Sequence, residues 1–164
     1  MSEVVRKICM LGDFGVGKTS LVARFVSKSF SDKYLTTVGV KTDTKIVEVA
    51  QRRIKLVLWD IAGKDVLDAL KLTYLRGSAG LVMVADGTRA PTLSSALQLL
   101  LQARAELGDI PSVLLVNKFD LFERWEVAPG QLAELREKMP VFETSALSGE
   151  SVEEAFLALA EQLA

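Results

Sequence analysis

Two hydrophobic patterns alternate along the chain. Short apolar runs such as Ile8-Cys9-Met10-Leu11 and Val113-Leu114-Leu115-Val116 read as strands buried on both faces, whereas longer stretches with an apolar stripe every three to four residues read as helices. The pattern predicts strands near 4–11, 40–49, 53–60, 80–86, 111–116 and 140–145, and helices near 17–28, 65–76, 91–107, 128–138 and 151–163. Alternation of this kind predicts an α/β fold in three layers, a six-stranded mostly parallel sheet covered on both faces by about five helices. The second and third strands are joined only by Ala50-Gln51-Arg52, too short for a crossover helix, so they must form an antiparallel hairpin at the sheet edge. The last helix carries the cleanest stripe, Val152, Ala155, Phe156, Leu159, Ala160 and Leu163, and Ser151-x-x-Glu154 reads as its capping box. The leucine-rich stretch Leu93 to Leu107 reads as a sheet-covering helix rather than a zipper.

The candidate chemistry sits at the strand ends. Gly12-Asp13-Phe14-Gly15-Val16-Gly17-Lys18-Thr19 follows the first strand and opens the first helix, matching G-x-x-x-x-G-K-[ST] in full. A strand, a glycine loop with inward N–H groups and a helix N-terminus together make a phosphate site; a chance glycine turn is the weaker alternative. Residues Asp13 to Ser20 would line the phosphates, with Lys18 reaching the β- and γ-phosphates and the Thr19 hydroxyl ligating a bridging Mg²⁺. Val16 and the glycines Gly15 and Gly17 belong to the same cradle. At the end of the fifth strand, Asn117-Lys118-Phe119-Asp120 indicates the base. A carboxylate at Asp120 can accept from N1–H and the exocyclic N2–H₂ of guanine, donors that adenine lacks in that place. Asn117 would fix the pocket, and the Lys118 stem would lie along the ring.

Composition narrows the picture further. A chain of 164 residues, 49% hydrophobic, is expected to form one domain spanning 1–164 around a single core. A net charge of −1 without a basic cluster argues against nucleic acid or an anionic membrane as partner. The absence of histidine excludes imidazole catalysis, and the one cysteine, Cys9, lies inside the first strand, where an inert buried thiol is expected. Glu3, Arg6 and Lys7 interrupt the N-terminal apolar run, so no signal peptide is read, and a cytoplasmic protein is expected. The final residues Glu161-Gln162-Leu163-Ala164 hold no cysteine, so no prenyl anchor is expected on this chain.

Further segments complete a set. Tyr34-Leu35-Thr36-Thr37-Val38-Gly39, Trp59-Asp60-Ile61-Ala62-Gly63, Tyr74-Leu75-Arg76-Gly77-Ser78-Ala79-Gly80 and Thr144-Ser145-Ala146 occur in order with the two motifs above. With them the chain resembles the Ras superfamily of small GTPases over essentially its whole length, and within it the Rab branch. That resemblance implies a P-loop GTPase domain that binds GTP and GDP with Mg²⁺. It implies that Thr37 joins the Mg²⁺ shell and meets the γ-phosphate, that Asp60 holds Mg²⁺ through water, and that the Gly63 N–H contacts the γ-phosphate. Phe30 would pack edge-on to the base, Tyr34 would stand at the nucleotide, and Ser145, Ala146 and Leu147 would line the base, with the Ala146 N–H on the guanine O6. Effectors and regulators would bind the segments near 31–42 and 61–76.

The departures from that pattern matter equally. Lys64 stands where the family has the glutamine that orients the attacking water, and Phe14 fills a position usually occupied by a small residue. Both border the γ-phosphate, so slow hydrolysis is expected. The competing readings are that both residues are ordinary packing and surface, or that the Lys64 ammonium neutralises phosphate charge as an internal finger. Leu147 replaces a lysine, and Thr42 stands where Rab proteins usually place a phenylalanine that completes an aromatic triad with Trp59 and Tyr74. Two function classes follow: a slow GTP/GDP switch, or a binding module held in the GTP form. A P-loop kinase is disfavoured by the guanine pocket and by the lack of a lid segment.

Overall fold

The computed structural model describes residues 3–27, 40–61 and 73–164. Within them the chain runs β1 (Glu3–Leu11), α1 (Lys18–Ser27), β2 (Val40–Val49), β3 (Arg52–Ile61), β4 (Ser78–Asp86), α2 (Ala90–Leu107), β5 (Ser112–Asn117), a 3₁₀ segment (Phe119–Arg124), α3 (Pro129–Arg136), β6 (Val141–Glu143) and α4 (Val152–Gln162). The helix expected near 65–76 falls largely outside the described residues. No helix among those described is long and apolar enough to cross a membrane.

The strands form one sheet in the order β2-β3-β1-β4-β5-β6. Every neighbouring pair is parallel except β2 with β3. The period-2 geometry of a strand explains why the apolar runs are continuous. Ile8, Met10, Val82, Val84, Val113 and Leu115 face one side, where they pack with Leu21, Val22 and Phe25 of α1 and Phe156 and Leu159 of α4. Their alternates, Cys9, Leu11, Leu81, Met83, Ala85, Leu114 and Val116, face the other side against Leu93, Ala96, Leu99, Leu100 and Ala103 of α2. Phe25 and Phe156 stack with ring centroids 4.2 Å apart and planes within 5°, joining α1 to α4 under the sheet. The expected stripe of α4 is buried as read. Cys9 is fully buried beside the Ser78 hydroxyl, 3.1 Å away, and burial raises its thiol above the usual range, in keeping with an inert core thiol.

Two expectations need correction. Ser151 does not cap α4: its backbone is left-handed at φ 59° and its side chain makes no cap bond. A capping serine needs an extended backbone to aim its hydroxyl at the second or third amide, and here Val152 N–H bonds Gly149 C=O instead, at 3.2 Å. The sixth strand ends at Glu143 rather than continuing to 145, because Ser145 N–H turns away from the sheet to Glu150 C=O, 3.1 Å distant. The 3₁₀ segment, which periodicity did not reveal, is built on aromatic contacts among Phe119, Phe122 and Trp125 at 5.3–6.0 Å.

The β2–β3 hairpin pairs Val49 with Arg52, leaving a two-residue turn in which Ala50 and Gln51 sit at φ 52° and 63°. Such turns favour Asn-Gly because other L-residues pay about 1–2 kcal/mol for a left-handed backbone. Ala50→Asn with Gln51→Gly is therefore expected to raise stability by about 1 kcal/mol, read as a higher urea midpoint at an unchanged slope. An unmoved midpoint would show that the turn is not strained.

Candidate functional site

Because β3, β1, β4, β5 and β6 run parallel, their C-terminal ends share one edge of the sheet, and the loops leaving them meet there. Residues 12–17 leave β1 and enter α1. Gly17, at φ 104°, bonds through its carbonyl to Leu21 N–H at 2.9 Å, so the first amides of α1 open onto the loop. A side chain on Gly17 would lie 2.3 Å from the Asn117 amide nitrogen, so only glycine permits that approach. The Lys18 ammonium is buried and folded back over the loop, donating to Gly12 C=O at 2.9 Å and Asp13 C=O at 3.3 Å. Val16 is fully buried, Asp13 and Ser20 half-buried, and Phe14 and Gly15 exposed.

Across the loop, Asn117 at the end of β5 is 2% exposed. Its amide donates to Val16 C=O at 3.0 Å, while its oxygen accepts from the Thr144 hydroxyl at 3.2 Å and from Ala146 N–H at 3.3 Å. This one side chain ties the phosphate-type loop to the segment after β6. The exposed Asp120 accepts from the Ser145 hydroxyl at 2.8 Å, and Leu147 is exposed beside them. Asn117, Asp120, Ser145 and Ala146 are therefore brought together, with Ala146 N–H engaged by the Asn117 oxygen.

On the opposite flank the Thr19 hydroxyl donates to the Asp60 carboxylate at 2.5 Å, and Asp60 is 1% exposed. A hydroxyl and a carboxylate side by side are the hard oxygen donors that Mg²⁺ prefers. Among the described residues no group of three or more Cys, Asp or Glu gathers as a metal cage. Phe30, Tyr34, Thr37, Gly63 and Lys64 lie outside the described residues, as do most of the segments near 31–42 and 61–76.

Sequence reasoning missed three side chains. Arg24 of α1 donates to Ala146 C=O at 2.8 Å and also to Leu147 C=O, fixing the turn after β6. Asp86, at the end of β4, is 1% exposed and accepts from the Lys118 ammonium at 2.9 Å and from Arg89 at 3.0 Å. The Lys118 head thus points to β4, with its backbone left-handed at φ 72°. None of these residues stands in a recognisable spacing, and lone charges in a helix turn or loop carry no signal by themselves.

This assembly sets a glycine loop and a helix N-terminus at the C-terminal edge of a parallel α/β sheet, the arrangement that phosphate-loop nucleotide sites use. The Ras family model matches residues 7–164. The chain is 34% identical to Ras-related protein Rab-13 of Canis lupus familiaris, over 96% of this chain and 79% of that protein. It is 34% identical to GTP-binding protein YPT1 of Saccharomyces cerevisiae, over 96% and 78% respectively, and 32% identical to Ras-related protein Rab-10 of Diplobatis ommata, over 98% and 82%. The chain belongs to the Ras family of GTP-binding switch GTPases and is Rab-like within it. Members of that family generally use Mg²⁺ and act through effectors and regulators.

Asp86 makes the site sensitive to acid. Burial pushes its carboxyl up, but hydrogen bonds from Thr88, Lys118 and Arg89 outweigh this and hold it below the usual carboxylate range. A depressed native value means that the stabilisation is full above about pH 4, the unfolded value, and is lost as pH falls through the native one. Asp86→Asn should cost about 1–2 kcal/mol at neutral pH, and its unfolding free energy should fall less than the wild type's below about pH 4. Parallel stability curves for the two proteins across that window would remove Asp86 as the source.

Proposed function

We propose that the chain is a single guanine-nucleotide-binding domain that cycles between GTP and GDP forms with slow intrinsic hydrolysis. The observation that carries this reading is the Asn117 side chain, which joins the phosphate-type loop to the Ser145–Ala146 segment beside Asp120. Phosphate and base would thus be read from one rigid frame. In this reading the amides of residues 13–20 surround the phosphates and Lys18 leaves its loop carbonyls for the β- and γ-oxygens. Asp120 accepts from guanine N1–H and N2–H₂, and the Ala146 N–H donates to O6. Mg²⁺, when bound, neutralises charge building on the β- and γ-oxygens; Thr19 and Thr37 would hold it, with Asp60 acting through water. Thr37 and Gly63 would carry the γ-phosphate signal to effectors and regulators near 31–42 and 61–76.

Hydrolysis is expected to be slow because Lys64 has no acceptor with which to orient a water. Phe14, 52% exposed at the loop's outer turn, also occupies space an incoming arginine finger would use. A GTP-held binding module is the second reading, favoured by the same two residues.

Base choice is tested at Asp120. Asp120→Asn is expected to weaken GDP binding by about 1–3 kcal/mol per lost acceptor contact and to improve xanthosine diphosphate binding, since an amide can donate to the carbonyl that replaces the amine. Equal losses for both nucleotides would contradict the role.

Turnover is tested by single-turnover GTP hydrolysis. Lys64→Gln with Phe14→Gly should accelerate it more than either change alone, because both residues border the same water. A finger supplied in trans is worth on the order of 10³–10⁵ in rate, and the wild type should be largely insensitive to it. A wild type as fast as the double variant would overturn slow hydrolysis and favour Lys64 as an internal cation.

A further inference from the structure

The segment joining β4 to α2 holds two charged side chains, Asp86 and Arg89, that the nucleotide reading does not use. The buried Asp86 carboxylate is saturated from both sides: one oxygen accepts from Thr88 N–H at 2.9 Å and from its hydroxyl at 2.6 Å. The other takes Arg89 Nε at 3.0 Å and Lys118 Nζ at 2.9 Å. Arg89 then reaches past the carboxylate, and its Nη2 donates to Phe14 C=O at 3.1 Å. A side chain placed on Gly15 would lie 3.4 Å from the same nitrogen, so the guanidinium rests against the outer turn of the phosphate-type loop.

The cluster is itself rigidly mounted. Gly87 N–H bonds Asn117 C=O at 3.0 Å, Glu126 N–H bonds Gly87 C=O at 2.8 Å, and the Glu126 carboxylate accepts from Ala90 N–H at 2.8 Å. The Trp125 ring lies so close to Gly87 that an added Cβ would stand 2.2 Å from it.

We propose that Arg89 is a positioning residue that straps the Phe14–Gly15 turn to Lys118 through Asp86, so that the phosphate-side and base-side loops cannot open independently and a bound nucleotide is retained longer. The proposal rests on the guanine-nucleotide reading above. Arginine suits the task because its fork holds two acceptors at once; a lysine nitrogen in the same place would have to choose between the Asp86 carboxylate and the Phe14 carbonyl.

The test is release of a fluorescent GDP analogue, paired with amide hydrogen exchange. Arg89→Ala and Arg89→Gln should each release GDP about tenfold faster, the scale of one lost charge-assisted bond, and Arg89→Lys should recover only part of the difference. Exchange should quicken at residues 12–17 and stay unchanged in β5 and α2, whereas general destabilisation would quicken all three. Wild-type release rates in both variants, or uniform exchange gains, would overturn the strap. If the wild type retains no guanine nucleotide, the functional reading fails instead. The strap is then judged on exchange at residues 12–17 in the nucleotide-free chain: faster in Arg89→Ala supports it, and unchanged overturns it.

Discussion

The Asn117 amide is the interaction on which the site depends. It is buried, so each of its polar atoms must find a partner inside the protein or cost about 1–3 kcal/mol. The partners it finds belong to two loops far apart in sequence, Val16 at one end and Thr144 and Ala146 at the other. Satisfying one side chain thereby fixes the relative position of the loop after β1 and the turn after β6. The left-handed Gly17 is the complementary concession, giving the amide room that any Cβ would remove.

That arrangement is possible only because the sheet delivers its loops to one edge. Parallel strands with apolar residues on both faces need a helix layer on each side, and the two core clusters divide the strand residues alternately between α1 with α4 and α2. Among the described strands the one reversal, β2, lies at the sheet margin. Core packing and site assembly are therefore one constraint: a slip of one residue in β1 or β4 would invert both clusters and misplace the loop that follows.

Legibility in the sequence followed the range of the interaction. Strand and helix identities were readable because burial imposes a period, and the Ala50–Gln51 turn because its length forbids a crossover. The phosphate-type and base-type motifs were readable because each is a short signature at a strand end, Gly17 and Lys18 behind β1 and Asn117 and Asp120 behind β5, although the contact of Asn117 with Val16 is made only by folding. Arg24, Asp86 and Arg89 were not, since beyond the local contacts of Asp86 with Thr88 and Arg89 they reach partners brought close only by folding; Arg24 and Ala146 are 122 positions apart, and Arg89 and Phe14 are 75. Ser151 failed for the opposite reason. Its spacing to Glu154 satisfied a local rule, but a left-handed backbone set by the preceding turn overrode it.

The same distinction bears on the surface expected to meet partners. Thr42 lies opposite Trp59 across the β2–β3 ladder, where the Rab resemblance would place a third aromatic ring. Trp59 and Tyr74 remain in tilted contact at 6.2 Å, but the Trp59 face is covered by the Lys7 ammonium, 3.8 Å from the ring centroid and anchored on Arg76 C=O at 2.7 Å. A cation over an indole contributes about 0.5–2 kcal/mol, comparable with an aromatic pair, so the loss of the phenyl ring need not loosen the local structure. What changes is chemical character. Thr42 puts a hydroxyl where the resemblance implies a phenyl ring, beside the Trp59–Tyr74 pair and the Lys7 ammonium of β1.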